Sequence, residues 1–520
     1  MLALSVNKVP WEAVLSSAVE LSLVTMTAEV SSSSNNNNAG KEWTLSKTLL
    51  VGLVVCCVIS AFVNLLHAHQ TLPAHLQSSS TAIHEAMKNF RQSGRSTSKE
   101  TITNTNTNTD SSTTTINSDP KTLPKIGGLN CEPFGGPDPQ AAQEMVYWED
   151  IPSDQSYISP FHAKKGTEKL YMTFEPDGGG WNNIRMAMES VLGLAIAMGR
   201  TLVLPPDQRM YLLAKGRGKQ KTDFSFADFF PMHQMAQENK GLEIISMQQF
   251  LEEHAMQGKM RDKNTGQVTF PPDNRTDWNG EDVKLLKEWL RNATHTPLWS
   301  PGKCMAAFPA SGDHKDVEAL HEMQRQIHRE GGGHYPKFLD DPPPVDAPPI
   351  ERMRENLAGR TELCVYDEEM QNQPVVHFMC YHKLRVRMLV HFYAFLFFED
   401  WREDLWTKRF MRDHVRYIDE VQCAAGRIVK AMRDYAKSQS NNTSGDFDTF
   451  HIRRGDFQFK RTRIEAQEIV DNVKDVIKPG SIVYIATDER DKSFFDPMRR
   501  HYDIKFMDDF KDLLENVNSN

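Results

Sequence analysis

The chain has 520 residues, with 60 Lys and Arg against 69 Asp and Glu and a formal net charge of −9. That mildly acidic balance excludes a general nucleic-acid role, so any phosphate binding must be local, through a few placed arginines. The length suits a large unit of two lobes with appended segments.

Residues 1–47 are of low complexity, with serine and asparagine runs at 31–34 and 35–38. Residues 48–66 (TLLVGLVVCCVISAFVNLL) carry no charge. At about 1.5 Å rise per residue the run just matches a hydrocarbon core of about 30 Å. Lys41 and Lys47 precede it and no Lys or Arg follows until Lys88. The positive-inside rule therefore predicts a cytoplasmic tail (1–47), a single-pass anchor (48–66) and a lumenal remainder. The run starts too late and is too long for a cleaved signal peptide. Residues 67–126 hold almost no large apolar side chains and read as a disordered stem. This is the layout of a type II protein of the Golgi or endoplasmic-reticulum membrane. Sequons at Asn274, Asn292 and Asn441 agree with it. Five cysteines (Cys131, Cys304, Cys364, Cys380 and Cys423) would face an oxidising lumen. They allow two disulfides and one leftover thiol, with the connectivity open.

Folded structure is expected from Gly127 onward. Residues 169–176 read as a strand, followed by the turn Asp177-Gly178-Gly179-Gly180. A helix is predicted over 182–198, with Ile184, Met188, Val191, Leu192 and Ala195 on one face. Gly199 closes it and the next strand starts at Thr201, giving a βαβ crossover. The glycine loop is not a dinucleotide fingerprint, because Asn183 stands where the last glycine belongs. It fits a tight turn with Asn182 as helix cap, or an asparagine and helix N-terminus held against a substrate. Residues 256–300 and 331–350 read as surface loops, and 384–437 as strongly helical.

The segment from Asp448 to Phe457 (DTFHIRRGDF) is a short apolar strand that ends on His451, Arg453, Arg454 and Asp456. In an open α/β sheet ligands sit outside the carboxyl ends of strands. Arginine keeps its charge and grips phosphate with a planar fork, so the pattern points to a nucleotide-sugar diphosphate. A helix over 463–477, a strand over 481–486 ending in Thr487-Asp488-Glu489, another helix and a strand over 504–507 complete a β-α-β-α-β unit. No metal site is expected. His314, His321, His328 and His334 lie too far apart, and Asp446 and Asp448 precede the strand, at the wrong end for the ligand crevice.

Three segments resemble the GDP-fucose protein O-fucosyltransferase family. They are Gly179-Gly180-Trp181-Asn182-Asn183-Ile184-Arg185, His451-Ile452-Arg453-Arg454-Gly455-Asp456-Phe457, and Ala486-Thr487-Asp488. The resemblance implies an α/β, GT-B-like fold of two Rossmann-like lobes with a cleft between them. Residues 127–440 would form the first lobe and 441–520 the donor-binding lobe. It also implies inverting, metal-independent transfer of fucose from GDP-fucose to Ser or Thr hydroxyls of lumenal proteins, with no cofactor besides the donor. The alternatives are a glycan acceptor, or an inactive glycan- or protein-binding module on the same fold.

By position, the resemblance makes Arg453 and Asn182 the catalytic candidates. Arg453 would hold the leaving β-phosphate and Asn182 would face the sugar. Gly179, Gly180, Arg185, His451, Arg454, Asp456, Thr487 and Asp488 become the substrate-binding candidates. Two departures accompany it. Gly179 stands where some members carry a glutamate base; Glu175 and Asp177 lie just upstream, and the base is unassigned. The chain also ends before a S-[ST]-F segment, which implies an incomplete C-terminal lobe.

Overall fold

A computed structural model describes residues 3–5, 127–148, 151–163, 168–209, 223–278, 283–331, 343–357, 359–439, 442–454 and 463–514. The expected anchor and stem lie outside these residues, as do Asp456 and Asn441. Among the described residues no helix is long and apolar enough to cross a membrane. The strands of the three main sheets are β1 (Tyr171–Phe174), β2 (Thr201–Leu204), β3 (Ile244–Ser246), β4 (Cys304–Phe308), β5 (Glu362–Val365), β6 (Val375–Phe378), β7 (Leu396–Phe398), β8 (Asp448–Ile452), β9 (Ile482–Thr487) and β10 (Asp503–Phe506).

The fold is mixed α/β with parallel sheets, consistent with a Rossmann-like plan. The first sheet runs in the order β3-β2-β1-β6 and the second in the order β7-β4-β5, all parallel. Successive side chains of a strand face opposite sides, so each sheet contributes to two cores. Met172, Phe174, Leu202 and Phe378 of the first sheet share a core with Ala306, Phe308, Leu396 and Phe398 of the second. The helix α1 (Trp181–Ala197) lies in that shared core. The sequence pattern shows one apolar face on this helix. Ala187, Leu194, Ile196 and Ala197 are buried as well, because α1 packs against both sheets.

The outer faces are covered by helices. Tyr171, Val203, Ile245 and Val375 pack on α2 (Lys284–Ala293) through Leu286, Trp289 and Leu290. Met305, Ala307 and Phe397 pack on α3 (His314–Glu330) and α4 (Pro349–Leu357). Each such side chain stabilises the fold by about 1.5–3 kcal/mol relative to exposure. The turn after α1 needs Gly199, whose φ is +62° and whose Cβ would lie 2.5 Å from the His162 backbone.

Two expectations need correction. Residues 384–437 are not continuously helical. They contain β7, then α5 (Trp401–His414), then α6 (Asp419–Ser438). Asp400 starts α5 by accepting from the Arg402 N–H at 2.9 Å, and Val415 to Ile418 separate the two helices. Residues 256–300, expected as surface loop, include α2 and the end of a π-helix, Leu251–Lys259. Their apolar positions are spaced for a helix but sit among Pro, Gly and charged residues that masked the period.

The third sheet, β8-β9-β10, is parallel, with α7 (Ala466–Val473) after β8. This is the expected β-α-β-α-β order. The outer edge of β8 takes Ala3–Ser5 as a short antiparallel strand. The helix α6 ties the parts together. Cys423 near its start bonds Cys131. Met432 and Ala436 near its end pack on Ile482, and the Tyr435 hydroxyl donates to Asp503 at 2.5 Å. A second disulfide, Cys304–Cys364, staples β4 to β5, and among the described residues Cys380 is the free thiol. Two bridges and one leftover cysteine is the expected count, with the connectivity now supplied.

Peptide mapping without reductant is expected to recover these two pairs. Replacing Cys131 and Cys423 with Ser, which opens a link across 292 residues, is expected to lower unfolding stability by about 2–4 kcal/mol in denaturant titration.

Candidate active site

Two strand ends carry the candidate residues. In the third sheet the parallel register sets His451 opposite Ala486 and Ile452 opposite Thr487. The next residues, Arg453 and Arg454, therefore leave the sheet beside Asp488 and Glu489. The two arginines differ in their surroundings. Arg454 donates its backbone N–H to Asp488 Oδ1 at 2.6 Å and its Nη1 to the Ile464 carbonyl at 3.1 Å. Its Nε approaches Glu489 at 3.4 Å, and its guanidinium lies 3.8 Å from the Phe494 ring centroid. It is committed to groups of its own lobe. Arg453 and His451 are exposed at the strand end.

Thr487 and Asp488 shape this end from the neighbouring strand. The Thr487 hydroxyl accepts from the Glu489 N–H at 3.0 Å, while Asp488 fixes the backbone of Arg454. The Asp488 contact holds the arginine segment, and the Thr487 contact fixes the turn that carries Glu489.

In the first sheet, β1 runs directly into the glycine loop. Glu175 and Asp177 are buried here, and each meets an arginine through two donors. Arg291 Nε and Nη2 both donate to Glu175 at 2.6 Å. His377 Nε2 lies 3.2 Å from Glu175, which also accepts from the Cys380 N–H at 3.2 Å. Burial alone would raise the carboxyl pKa. The His377 and Arg291 hydrogen bonds outweigh it and bring Glu175 down to about 2. Burial lowers the pKa of His377 and keeps the ring neutral. A carboxylate only accepts, so Nε2 carries the proton and Nδ1 accepts from the Thr173 hydroxyl at 2.8 Å.

Asp177 accepts from Arg387 Nε at 2.9 Å and Nη2 at 2.8 Å, and from the Gly179 N–H at 2.8 Å. Burial again opposes the charge, and the Arg387 and Gly179 bonds outweigh it to lower the pKa. The Cys380 thiol, 3.8 Å from Asp177, is pushed by burial up to about 11 and stays protonated. Carboxylates held this way are poor proton acceptors. Glu175 and Asp177, just upstream of the position of the family's glutamate, are the anchors of the loop. Neither Arg291 nor Arg387 was foreseen, since they lie 116 and 210 residues from their partners and belong to no motif. Two acidic residues after an apolar strand were the available signal, because buried carboxylates need cationic partners.

The backbone at Gly179 lies close to Asn183 and Asp177. A Cβ there would come within 2.6 Å of the Asn183 amide and 3.0 Å of Asp177 Oδ1. Gly180, extended at φ −67° and ψ 166°, is the N-cap of α1. Asn182 is therefore not the cap; the helix starts one residue earlier, at Trp181. Its side chain is exposed in the first turn, where the helix N-terminus is partially positive. Arg185, expected to touch substrate, is engaged within the lobe. It donates to Glu189 at 2.6 Å and lies 4.9 Å from the Tyr417 ring centroid, whose hydroxyl accepts from Trp181 at 2.9 Å. Asp448 opens β8 at its amino end, opposite to the arginines.

The paired carboxylate sets a pH dependence. Glu175 is depressed from 4.5 to about 2, so it contributes stability above pH 4.5 that is lost as pH falls toward 2, by about 3 kcal/mol. In Glu175→Gln that part of the acid-unfolding curve is expected to flatten, and neutral-pH stability to drop by about 3–5 kcal/mol. Urea titrations at several pH values check both.

No curated protein matches the chain. A family model for GDP-fucose protein O-fucosyltransferase matches residues 171–519, more than half of the chain. The match begins at the first residue of β1 and takes in the glycine loop, the arginine strand and all three sheets. The chain therefore belongs to the GDP-fucose protein O-fucosyltransferase family and is a glycosyltransferase that moves fucose from GDP-fucose to an acceptor.

Proposed function

We propose that the acceptor is a Ser or Thr hydroxyl of a lumenal protein and that transfer inverts the sugar without a metal ion. The family description supports a protein acceptor, and the exposed cationic end of β8 supports stabilisation of the phosphate without a metal. Arg454 is held by Asp488, Glu489, Ile464 and Phe494, which fixes the strand end, and Arg453 is exposed beside it. Departure of GDP builds negative charge on the β-phosphate and oxocarbenium character on fucose. A guanidinium fixed by its backbone and aimed at that charge supplies electrostatic stabilisation where the charge develops. Arg453 is the catalytic group in this reading, with His451 and Asp456 toward the nucleotide. Thr487 and Asp488 position the arginines.

Asn182 serves the sugar side. It extends from the first turn of α1, on a loop that Asp177 and Arg387 hold rigid, and the site is then a GT-B cleft between the two strand ends. The protein uses GDP-fucose as its donor and no other cofactor. It is held by one helix at residues 48–66 as a type II protein of the Golgi or endoplasmic-reticulum membrane, with the disulfide-bonded part lumenal.

GDP release from GDP-fucose is expected to fall about 10²–10³-fold in Arg453→Ala with little change in melting temperature. Arg454→Ala is expected to lower both. Activity resistant to EDTA supports the metal-free mechanism, and its abolition returns Asp446 and Asp448 to consideration. Protease protection in sealed microsomes checks the topology, since digestion of the part beyond residue 66 contradicts it. The pairing of Ala3–Ser5 with β8 is incompatible with a membrane helix at 48–66, so a chain that keeps this pairing in cells overturns the anchored topology. Three paired residues add little to a sheet, so a chain starting at Gly127 is expected to melt at the same temperature.

A further inference from the structure

A cavity of about 390 Å³ opens at the amino-terminal edge of the first sheet, away from the glycine loop. Val375, the first residue of β6, lines it, and Val375 pairs with Tyr171, the first residue of β1. The glycine loop follows the other end of the same strands.

The lining is cationic. Lys259, Arg261 and Lys263 border the cavity together with His254 and His295. Lys259 has one acidic partner, Glu168 at 3.2 Å, which is 72% exposed and so contributes little. Arg261 donates to the Gly266 carbonyl at 3.3 Å. Lys263 donates to the Arg291 carbonyl at 2.7 Å and the Thr296 hydroxyl at 2.6 Å. An ammonium has three donors, so one remains after these two bonds.

His254 is the second, independent observation. It is 3% exposed and packs between Phe250 and Tyr171, with ring centroids at 5.5 and 4.9 Å. Its Nε2 is buried without a hydrogen-bond partner among the described residues. An orphaned ring nitrogen at that depth costs about 1–3 kcal/mol unless something meets it. The residue sits in the helical segment Leu251–Lys259, which is wound as a π-helix and breaks at Gly258. That helix delivers His254 to the cavity wall and ends, through Gly258 at φ +71°, in the run of cations.

We infer that this cavity is a second ligand site, taking a tetrahedral oxyanion carried on a small polar molecule of single-sugar size. The three cations meet the oxyanion, and a turn of the His254 ring, whose Nε2 has no accessible surface in the present conformation, brings a further donor to it. The volume lies near the lower end of the about 300–1,000 Å³ of small-molecule sites, which suits one ring rather than a nucleotide. The assignment does not rest on the donor reading, because the residues and the sheet edge are different.

Calorimetric titration of the full chain in neutral detergent at constant ionic strength tests it, with inorganic phosphate, glucose 6-phosphate and N-acetylglucosamine 6-sulfate as probes. Saturable binding is expected, weakened at least tenfold in Arg261→Gln, whose exposed side chain leaves the fold intact, and in His254→Leu. Tighter binding of an ester than of phosphate identifies an ester ligand, and equal binding identifies the free anion; both support the oxyanion site. Absence of saturable binding overturns it. So does binding that survives Arg261→Gln but is lost in Arg453→Ala, since the anion then sits at the arginine strand. An unfolded His254→Leu protein leaves the decision to Arg261→Gln.

Discussion

The first sheet and the loop that follows β1 depend on one electrostatic constraint. Two carboxylates leave β1 into the interior, and neither can stay charged there unless cations reach them. Arg291 and Arg387 come from α2 and from the segment after β6, so the requirement draws distant parts of the chain to one point. The glycine loop is a product of that arrangement. Asp177 holds the Gly179 N–H while Arg387 holds Asp177, and the backbone at 179 lies close to Asn183 and Asp177. Helix α1 then starts at a fixed place, and with it the exposed Asn182.

The third sheet solves the opposite problem. Its strand end leaves charge exposed rather than burying it. Parallel pairing brings two strand ends side by side, and the residues there divide between holding and presenting. Asp488 accepts the Arg454 backbone N–H, and Phe494 receives the Arg454 guanidinium. The exposed neighbour Arg453 is thereby placed by backbone that cannot easily shift. Rigid support of this kind is what electrostatic stabilisation of a leaving phosphate requires.

Helix α6 connects the two parts. Its first turns are fixed by the Cys131–Cys423 bridge, and its last turns pack on the third sheet through Met432, Tyr435 and Ala436. The buried α1 plays the matching role inside the first lobe, filling the space shared by two sheets.

The sequence by itself determined the local plan. Alternating and helical apolar spacing placed β1, α1, β2 and the β-α-β-α-β order at the C-terminal side, because these patterns reflect backbone geometry. It also identified the arginine strand and the glycine loop, whose residue types carry their chemistry. Pairings between distant segments were decided only by the tertiary structure. Tertiary contacts chose Cys131 for Cys423, gave Glu175 and Asp177 their arginines, split 384–437 into a strand and separate helices, and gave Arg454 its partners. The physical reason is that hydrogen bonds and ion pairs act over a few ångströms of space, at any distance along the chain.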